Sequence, residues 1–349
     1  MMRGFKVCLI ALAGVVLSAG AAFADTKLQG AGATFPVPIY SLWNATYNKN
    51  HPDVTIEYQG VGSGAGITQI TAQKVDFAGS DAPLTAAQVK ALPAPLLHLP
   101  TVAGPVVIAY NIPGINNLNL DGPTLADIYM GRIVKWNDPK IMALNPGVAL
   151  PAKDITVAHR SDGSGTTFIF TSYLSAVSKD WADNVGGKAS VEWPVGVGGA
   201  KSDGVSQIVM KTEGGIGYVE LAYAIQNKIP FATQINKSGK AIKASIASTQ
   251  AAAAGAVFPP DLIVSIVDSA NPDAYPICGF TYLLVYKDLS YMKDKAKAQT
   301  LVDYIDWCET TGQGLANQKD YAALPKGGQT QVEAALKTIT CDGQPLLKK

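Results

Sequence analysis

The sequence predicts an α/β protein with largely parallel sheets. Short apolar, β-rich runs alternate with helical patterns along the whole chain, and no repeat at a fixed period breaks the alternation. Length sets the scale. The chain has 349 residues, and beyond about 250–300 residues a single core usually divides, so two domains are expected. Hydrophobic residues make up 48% and charged residues 16%, the balance of a globular chain and not a disordered one.

The elements follow in order. Arg3 and Lys6 precede an apolar run from Val7 to Leu17, which leads through small residues to Ala22-Phe23-Ala24. This pattern predicts an export signal cut after Ala24, and the run is shorter than the roughly 20 apolar residues that span a bilayer. Its removal leaves 26 basic residues against 27 acidic ones. Such a near-neutral chain, without a basic block, argues against nucleic acid and anionic membranes as partners.

Thr34 reads as the N-cap of a first helix, with Pro36 in the first turn and Ile39, Trp43 and Tyr47 on the buried face. VTIEY, from Val54, is a strand, and Ile67, Ile70 and Thr71 begin a helical face. VDFAGSDAPL is a short strand ending in a polar turn, and TVAGPVVIAYN from Thr101 is a long β run. TLADIYMG is helical through Leu125, Ile128 and Tyr129. DITVAHR, from Asp154 to Arg160, is a strand, and Phe170, Tyr173, Leu174 and Val177 then recur at amphipathic spacing. GGIGYVE and YPICGFTYLLVYKD read as strands, with helices around 295–310 and 329–338. SIASTQAAAAG, ending at Gly255, reads as a surface helix. Beyond the leader stand three cysteines, Cys278, Cys308 and Cys341. An odd count leaves one free or pairs it between chains. Cys308 lies at helical spacing from Leu301 and Ile305, the position of a small buried hydrophobe.

Four segments place glycines and short hydroxyls where a strand hands over to a helix: GAGATFPVPIY, GVGSGAGITQI, AGSDAPL and RSDGSGTT. Helix N-termini carry unpaired N–H groups and partial positive charge, and glycine lets a ligand approach the backbone. Arg160 adds a full charge and a fork of donors. Four such turns together predict a small-anion site. Asp162 then either orients Arg160 or caps the following helix. Asp81 either caps a helix near Thr85 or accepts a hydrogen bond from an anion that keeps a proton. Phosphate keeps one near neutral pH and sulfate does not, and a buried acceptor rejects the analogue lacking the proton by roughly 10⁴–10⁵-fold.

Enzymatic signatures are absent. Neither Ser63 nor Ser164 completes G-x-S-x-G, and no HExxH, P-loop or paired-metal carboxylate pattern occurs. His51 and His98 flank prolines in what read as polar turns, while His159 could be a base or a second positive charge. No metal or organic cofactor is expected.

GAGATFP, YQGVGSGAG, DFAGSDAPL, RSDGSGTTFIFTSYL and GGIGYVE together resemble the periplasmic phosphate-binding protein of the phosphate ABC transporter. The likeness runs through the mature chain, including LDGPTLADIYMG, KWND and the segment from Tyr321 to Pro325. It implies a two-lobed periplasmic binding protein of type II, each lobe a mixed, mostly parallel sheet flanked by helices, joined by a hinge. Residues 25–100 and 277–349 would form lobe I, and 101–276 lobe II. Thr34 and Phe35 would bind phosphate at the first helix start, Ser63 would donate from its glycine loop and Asp81 would accept the proton. Arg160, Ser164, Gly165 and Thr166 would close from lobe II, with Asp162 holding Arg160. The resemblance implies a monomeric, non-catalytic receptor that serves a membrane permease complex from the periplasm. A sulfate or molybdate receptor, a phosphate-ester hydrolase using Ser63 or Ser164, and a surface scaffold are the alternatives. Gly64 stands where the family often has a second serine, His159 where an arginine can stand, and Ser161 where alanine is common. The cysteines lie outside the family pattern.

Overall fold

The computed structural model describes residues 25–347, so the expected leader lies outside the described residues. The first third alternates as the sequence predicts: β1 (Thr26–Gly32), α1 (Val37–Asn50), β2 (Val54–Gly60), α2 (Ser63–Thr71), β3 (Phe77–Ser80) and α3 (Ala86–Ala91). Ile39, Trp43 and Tyr47 form the buried stripe of α1. Thr34, however, is not its cap. Helical geometry begins three residues later, with Pro36 in the cap position and no side-chain cap bond, which leaves the Thr34 hydroxyl free for other partners.

β4 (Leu96–Asn111) runs 16 residues, five earlier than TVAGPVV predicts, and so takes in His98. His98 is therefore buried in a strand and not in a polar turn, and its Nε2 accepts from the Leu84 N–H at 3.2 Å. Then come β5 (Asn119–Asp121), α4 (Gly122–Tyr129), α5 (Pro139–Leu144), β6 (Thr156–Arg160), α6 (Gly165–Val177), α7 (Lys179–Asn184), β7 (Val197–Gly199), α8 (Lys201–Lys211), β8 (Gly215–Glu220), α9 (Leu221–Gln226), β9 (Thr233–Ile235), β10 (Ala241–Ile242) and α10 (Ile246–Ala253). α10 is the predicted alanine-rich helix, but Thr249, Ala252 and Ala253 are buried and it packs on β4. The chain closes with β11 (Cys278–Tyr286), α11 (Lys295–Glu309), β12 (Ala322–Ala323), α12 (Lys326–Leu336), β13 (Thr340–Cys341) and β14 (Gln344–Pro345).

The main sheet runs β2-β1-β3-β11-β4-β8-β6-β7, with β12 on β4. Its two ends are parallel, β2-β1-β3 and β8-β6-β7, while β11 and β4 join them by antiparallel ladders. β4 serves both halves. Leu96 to Pro105 pair with β11, and Val106 to Asn111 pair with β8. Parallel strands need crossover helices, which cover both faces and make the central strands apolar throughout. All nine residues of β11 are buried accordingly. Cys278, Cys308 and Cys341 are free and buried.

Candidate functional site

The strand-to-helix turns singled out in the sequence meet at one place. Arg160 ends β6 with its side chain buried, while His159, one residue back, faces the other side of the strand and stacks on Trp193 at 4.8 Å. His159 is thus neither a base nor a charge at the site. The Arg160 guanidinium is held by both Asp162 oxygens, Nε to Oδ1 at 2.8 Å and Nη2 to Oδ2 at 2.5 Å. Asp162 Oδ1 also accepts from the Lys201 N–H at 2.9 Å. Burial raises the Asp162 carboxyl, but the Arg160 bonds and charge outweigh it and hold the group below its ordinary value. Ser164, not Asp162, caps α6 by accepting from the Thr167 N–H. The α6 N-terminus thus carries no acidic cap and keeps its partial positive charge.

Segments from the two ends of the sheet touch here. Ser63, the first residue of α2, accepts through Oγ from the Gly165 N–H at 3.0 Å and from the Asp81 N–H at 3.4 Å. The Gly64 N–H donates to the Gly163 carbonyl at 3.0 Å. Glycine permits this approach. A Cβ on Gly165 would lie 2.4 Å from Asp81 Cβ, and Gly62 has φ +93° with Asp162 Oδ2 2.4 Å from where its own Cβ would stand. Thr34 Oγ1 meets Ser202 Oγ at 2.8 Å and accepts from Arg160 Nη1 at 3.4 Å. Phe35 is buried, with its ring 6.0 Å from that of Tyr321.

Several buried polar atoms have no partner among the described residues, Glu220 Oε1 and Thr281 Oγ1 among them, and two belong to the turns singled out in the sequence. Asp81 Oδ1 and Thr166 Oγ1 are both buried without a partner. Asp81 is 3% exposed, and burial pushes its carboxyl from the ordinary 3.8 up to about 7, against the lowering pull of the Thr281 hydroxyl and the Arg160 guanidinium. Thr85 caps α3 through a capping box with Gln88, so Asp81 has no capping duty there. An ionised carboxylate only accepts, and a threonine hydroxyl can donate. The site therefore offers an acceptor, a donor, a guanidinium held by Asp162 and the starts of α2, α6 and α8.

Thr34, Phe35, Ser63, Asp81, Arg160, Ser164, Gly165 and Thr166 all lie in these converging turns. Sequence reasoning missed Ser202, Tyr223, Tyr321 and Glu220. GGAKSDG, ahead of α8, carries the same glycine-and-hydroxyl signal as the other four turns and could have yielded Ser202. Glu220 is buried, with Oε2 accepting from the Ala222 N–H at 2.8 Å and lying 3.0 Å from the Tyr321 hydroxyl. Among the described residues no cluster of His, Cys, Asp or Glu could hold a metal ion, and no helix is long and apolar enough to cross a membrane.

Known proteins are similar to this chain in sequence and fold. A PBP superfamily domain model matches residues 17–308. Phosphate-binding protein PstS of Xylella fastidiosa is 42% identical over 314 residues, covering 89% of this chain and 85% of that one. PstS of Pasteurella multocida is 39% identical over 325 residues, covering 91% and 93%. A solved high-affinity periplasmic phosphate-binding protein, bound with phosphate, superposes with a TM-score of 0.73 at 22% identity, over 92% of this chain and all of that one. Matched in sequence along nine-tenths of its length and in fold almost throughout, the chain belongs to the PstS family of phosphate-binding proteins within the PBP superfamily.

Proposed function

We propose that this chain is an exported, non-catalytic receptor that captures inorganic phosphate and delivers it to a membrane ABC permease. The pairing of Asp81 with Thr166 is the observation that carries the reading: a buried acceptor and a buried hydroxyl, each without a partner, beside a buried guanidinium. Hydrogen phosphate complements that set, because it has one O–H for Asp81 and charged oxygens for Thr166, Arg160 and the helix starts. Thr34, Phe35, Ser63, Ser164 and Gly165 supply the remaining contacts. Sulfate has no proton to give and would face the Asp81 carboxylate unpaired. Arsenate keeps its proton, so Asp81 discriminates poorly against it.

Residues 25–100 and 277–349 form one lobe in this reading, and 101–276 the other. Capture bridges them and biases a hinge toward the closed form that the permease recognises. The working form is a periplasmic monomer. A hydrolase is disfavoured because, among the described residues, no side-chain base is hydrogen-bonded to Ser63 or Ser164 Oγ: the Ser63 oxygen accepts two backbone N–H groups and Ser164 caps α6.

Calorimetry on residues 25–349, stripped of ligand by unfolding and refolding, tests this. Tight phosphate binding with no sulfate binding is expected from the wild type, and altered selectivity from Asp81→Asn. A wild type that binds neither anion sinks the reading, and turnover of a chromogenic phosphate ester would replace it with the hydrolase.

A further inference from the structure

Three successive carbonyls in the turn between β1 and α1 each lie against a tyrosine hydroxyl. Tyr58 donates to the Ala33 carbonyl at 2.9 Å, Tyr223 to the Thr34 carbonyl at 2.6 Å and Tyr321 to the Phe35 carbonyl at 2.6 Å. The three phenols come from separate places in the chain: β2, α9 and the stretch just before β12. Tyr321 is fully buried, and Tyr223 is nearly so.

A trans peptide unit is planar, so its N–H points opposite to its C=O. No cis peptide occurs in the described chain. Fixing the Ala33 carbonyl therefore fixes the Thr34 N–H, and fixing the Thr34 carbonyl fixes the Phe35 N–H. Pro36 has no N–H, so the run of donors ends at Phe35. Carbonyl oxygens carry partial negative charge and would repel an anion. Each phenol covers one of these oxygens, and peptide planarity turns the Thr34 and Phe35 N–H groups away from the Ala33 and Thr34 carbonyls that Tyr58 and Tyr223 hold.

We infer that Tyr58, Tyr223 and Tyr321 are positioning residues that aim the Thr34 and Phe35 N–H groups at the bound anion. The inference rests on the phosphate reading above and extends it to three residues that need not touch the ligand. Tyr223 has a second consequence. It belongs to the middle of the chain, across the cleft from the turn it holds, so its bond forms only when the two sides meet. Closure and donor alignment are then one event, and Tyr223 couples them. Tyr58 and Tyr321 lie on the same side as the turn and hold it before closure.

Tyr58→Phe, Tyr223→Phe and Tyr321→Phe test this, with Tyr110→Phe as the control, since Tyr110 is a buried phenol whose oxygen has no partner. Phosphate affinity is measured by calorimetry, dissociation by competition with excess unlabelled phosphate, and the Phe35 amide by ¹⁵N–¹H resonance. Removing a phenol, which at Tyr223 leaves the Thr34 carbonyl only the longer Val37 N–H bond at 3.2 Å, weakens phosphate binding by about tenfold in each variant. Tyr110→Phe stays within about twofold of wild type. In Tyr223→Phe the loss lies in faster dissociation, with association unchanged. The phosphate-induced shift of the Phe35 amide, present in the wild type, shrinks in all three, which a loss of stability alone would not produce. Wild-type phosphate binding with affinities retained in the three variants, or with no shift at Phe35, overturns the inference and leaves the phosphate reading standing. A wild type that binds no phosphate removes both. Should Tyr321→Phe not fold, Tyr223→Phe decides, because Tyr223 keeps 7% exposure where Tyr321 has none.

Discussion

Arg160 and Asp81 are both buried ionisable groups at the same site, yet they are held in opposite ways. Arg160 is 4% exposed and forked onto Asp162, whose other bond comes from the Lys201 N–H. Asp81 is 3% exposed and one of its oxygens has no partner among the described residues. Compensation by the Asp162 fork makes the first side a stable cradle. The lack of it makes the second side a sensor, because an acceptor left waiting costs free energy until the right donor arrives. In the proposed phosphate reading, attraction and selectivity are thereby divided between Arg160 and Asp81.

The largest effect is expected at Arg160. Arg160→Ala removes the cation and leaves Asp162 partly buried against only a backbone N–H. Truncating one partner of such a pair costs about 3–5 kcal/mol, and a loss of that size in binding lowers phosphate affinity by roughly 10²–10⁴-fold in calorimetry. Arg160→Lys recovers little, since a point charge cannot replace the fork. Near-wild-type affinity in Arg160→Ala would abolish the contrast between the two sides.

Asp81→Asn comes next and sharpens the comparison through pH. Burial lifts the Asp81 carboxyl to about 7 in the folded protein, from the ordinary 3.8. The folded, ligand-free chain therefore holds a proton that the unfolded chain has lost between these values. Stability falls as pH rises across that window, by up to about 4 kcal/mol, and stays low above it. Asp81→Asn removes the loss, so its melting temperature at pH 8 exceeds that of the wild type and the gap closes toward pH 4. Binding moves with the same proton. Below about 7 the wild-type carboxyl can donate, so sulfate affinity rises as pH falls, while in Asp81→Asn the amide donates at every pH and sulfate binding loses that dependence. Equal pH profiles for the two proteins would show that Asp81 does not read the proton.

This contrast was only half visible in the sequence. Arg160, Asp162 and the α6 start lie within seven consecutive residues, so local spacing sufficed to predict a held guanidinium next to a helix terminus. Asp81 was legible as a misplaced carboxylate, but its orphaned oxygen depends on what β11 and α6 bring against it from about 200 and 85 residues away. The alternation of strands and helices was clear because apolar periodicity is local. The antiparallel joining of the sheet by β4 and β11 was not, since strand direction is set by pairing partners far apart in sequence. For the same reason the helix cap expected at Thr34 was misplaced by two residues: cap residues are recognised by type, and here the threonine is drawn to Ser202 and Arg160 instead. Tyrosines on three elements could not be assigned to one turn without the fold that gathers them.

A smaller effect is expected at Thr166. Its hydroxyl is the buried donor without a partner, so Thr166→Val leaves the ligand-free chain as stable as before or more so, and weakens phosphate by about tenfold. Thr166 therefore belongs with Asp81 in its energetics although it lies on α6 beside Arg160. Loss of stability in Thr166→Val, seen as a lower melting temperature, would mean that the hydroxyl already has an internal partner.

The smallest effect is expected at Ser202, and it distinguishes a ligand contact from a closure contact. Ser202 Oγ bonds Thr34 Oγ1 at 2.8 Å, and Thr34 Oγ1 also accepts from Arg160 Nη1 at 3.4 Å. A hydroxyl–hydroxyl bond is worth about 1 kcal/mol, so Ser202→Ala weakens phosphate by about fivefold. Thr34 and Arg160 remain to each other in that variant, so the cost is confined to the bond that crosses the cleft. Faster dissociation with unchanged association is the signature of a closure contact, because the bond is absent while the sites stand apart. Slower association instead would place Ser202 among the groups that meet phosphate before closure. The α8 start would then be part of the first encounter surface, beside the start of α6.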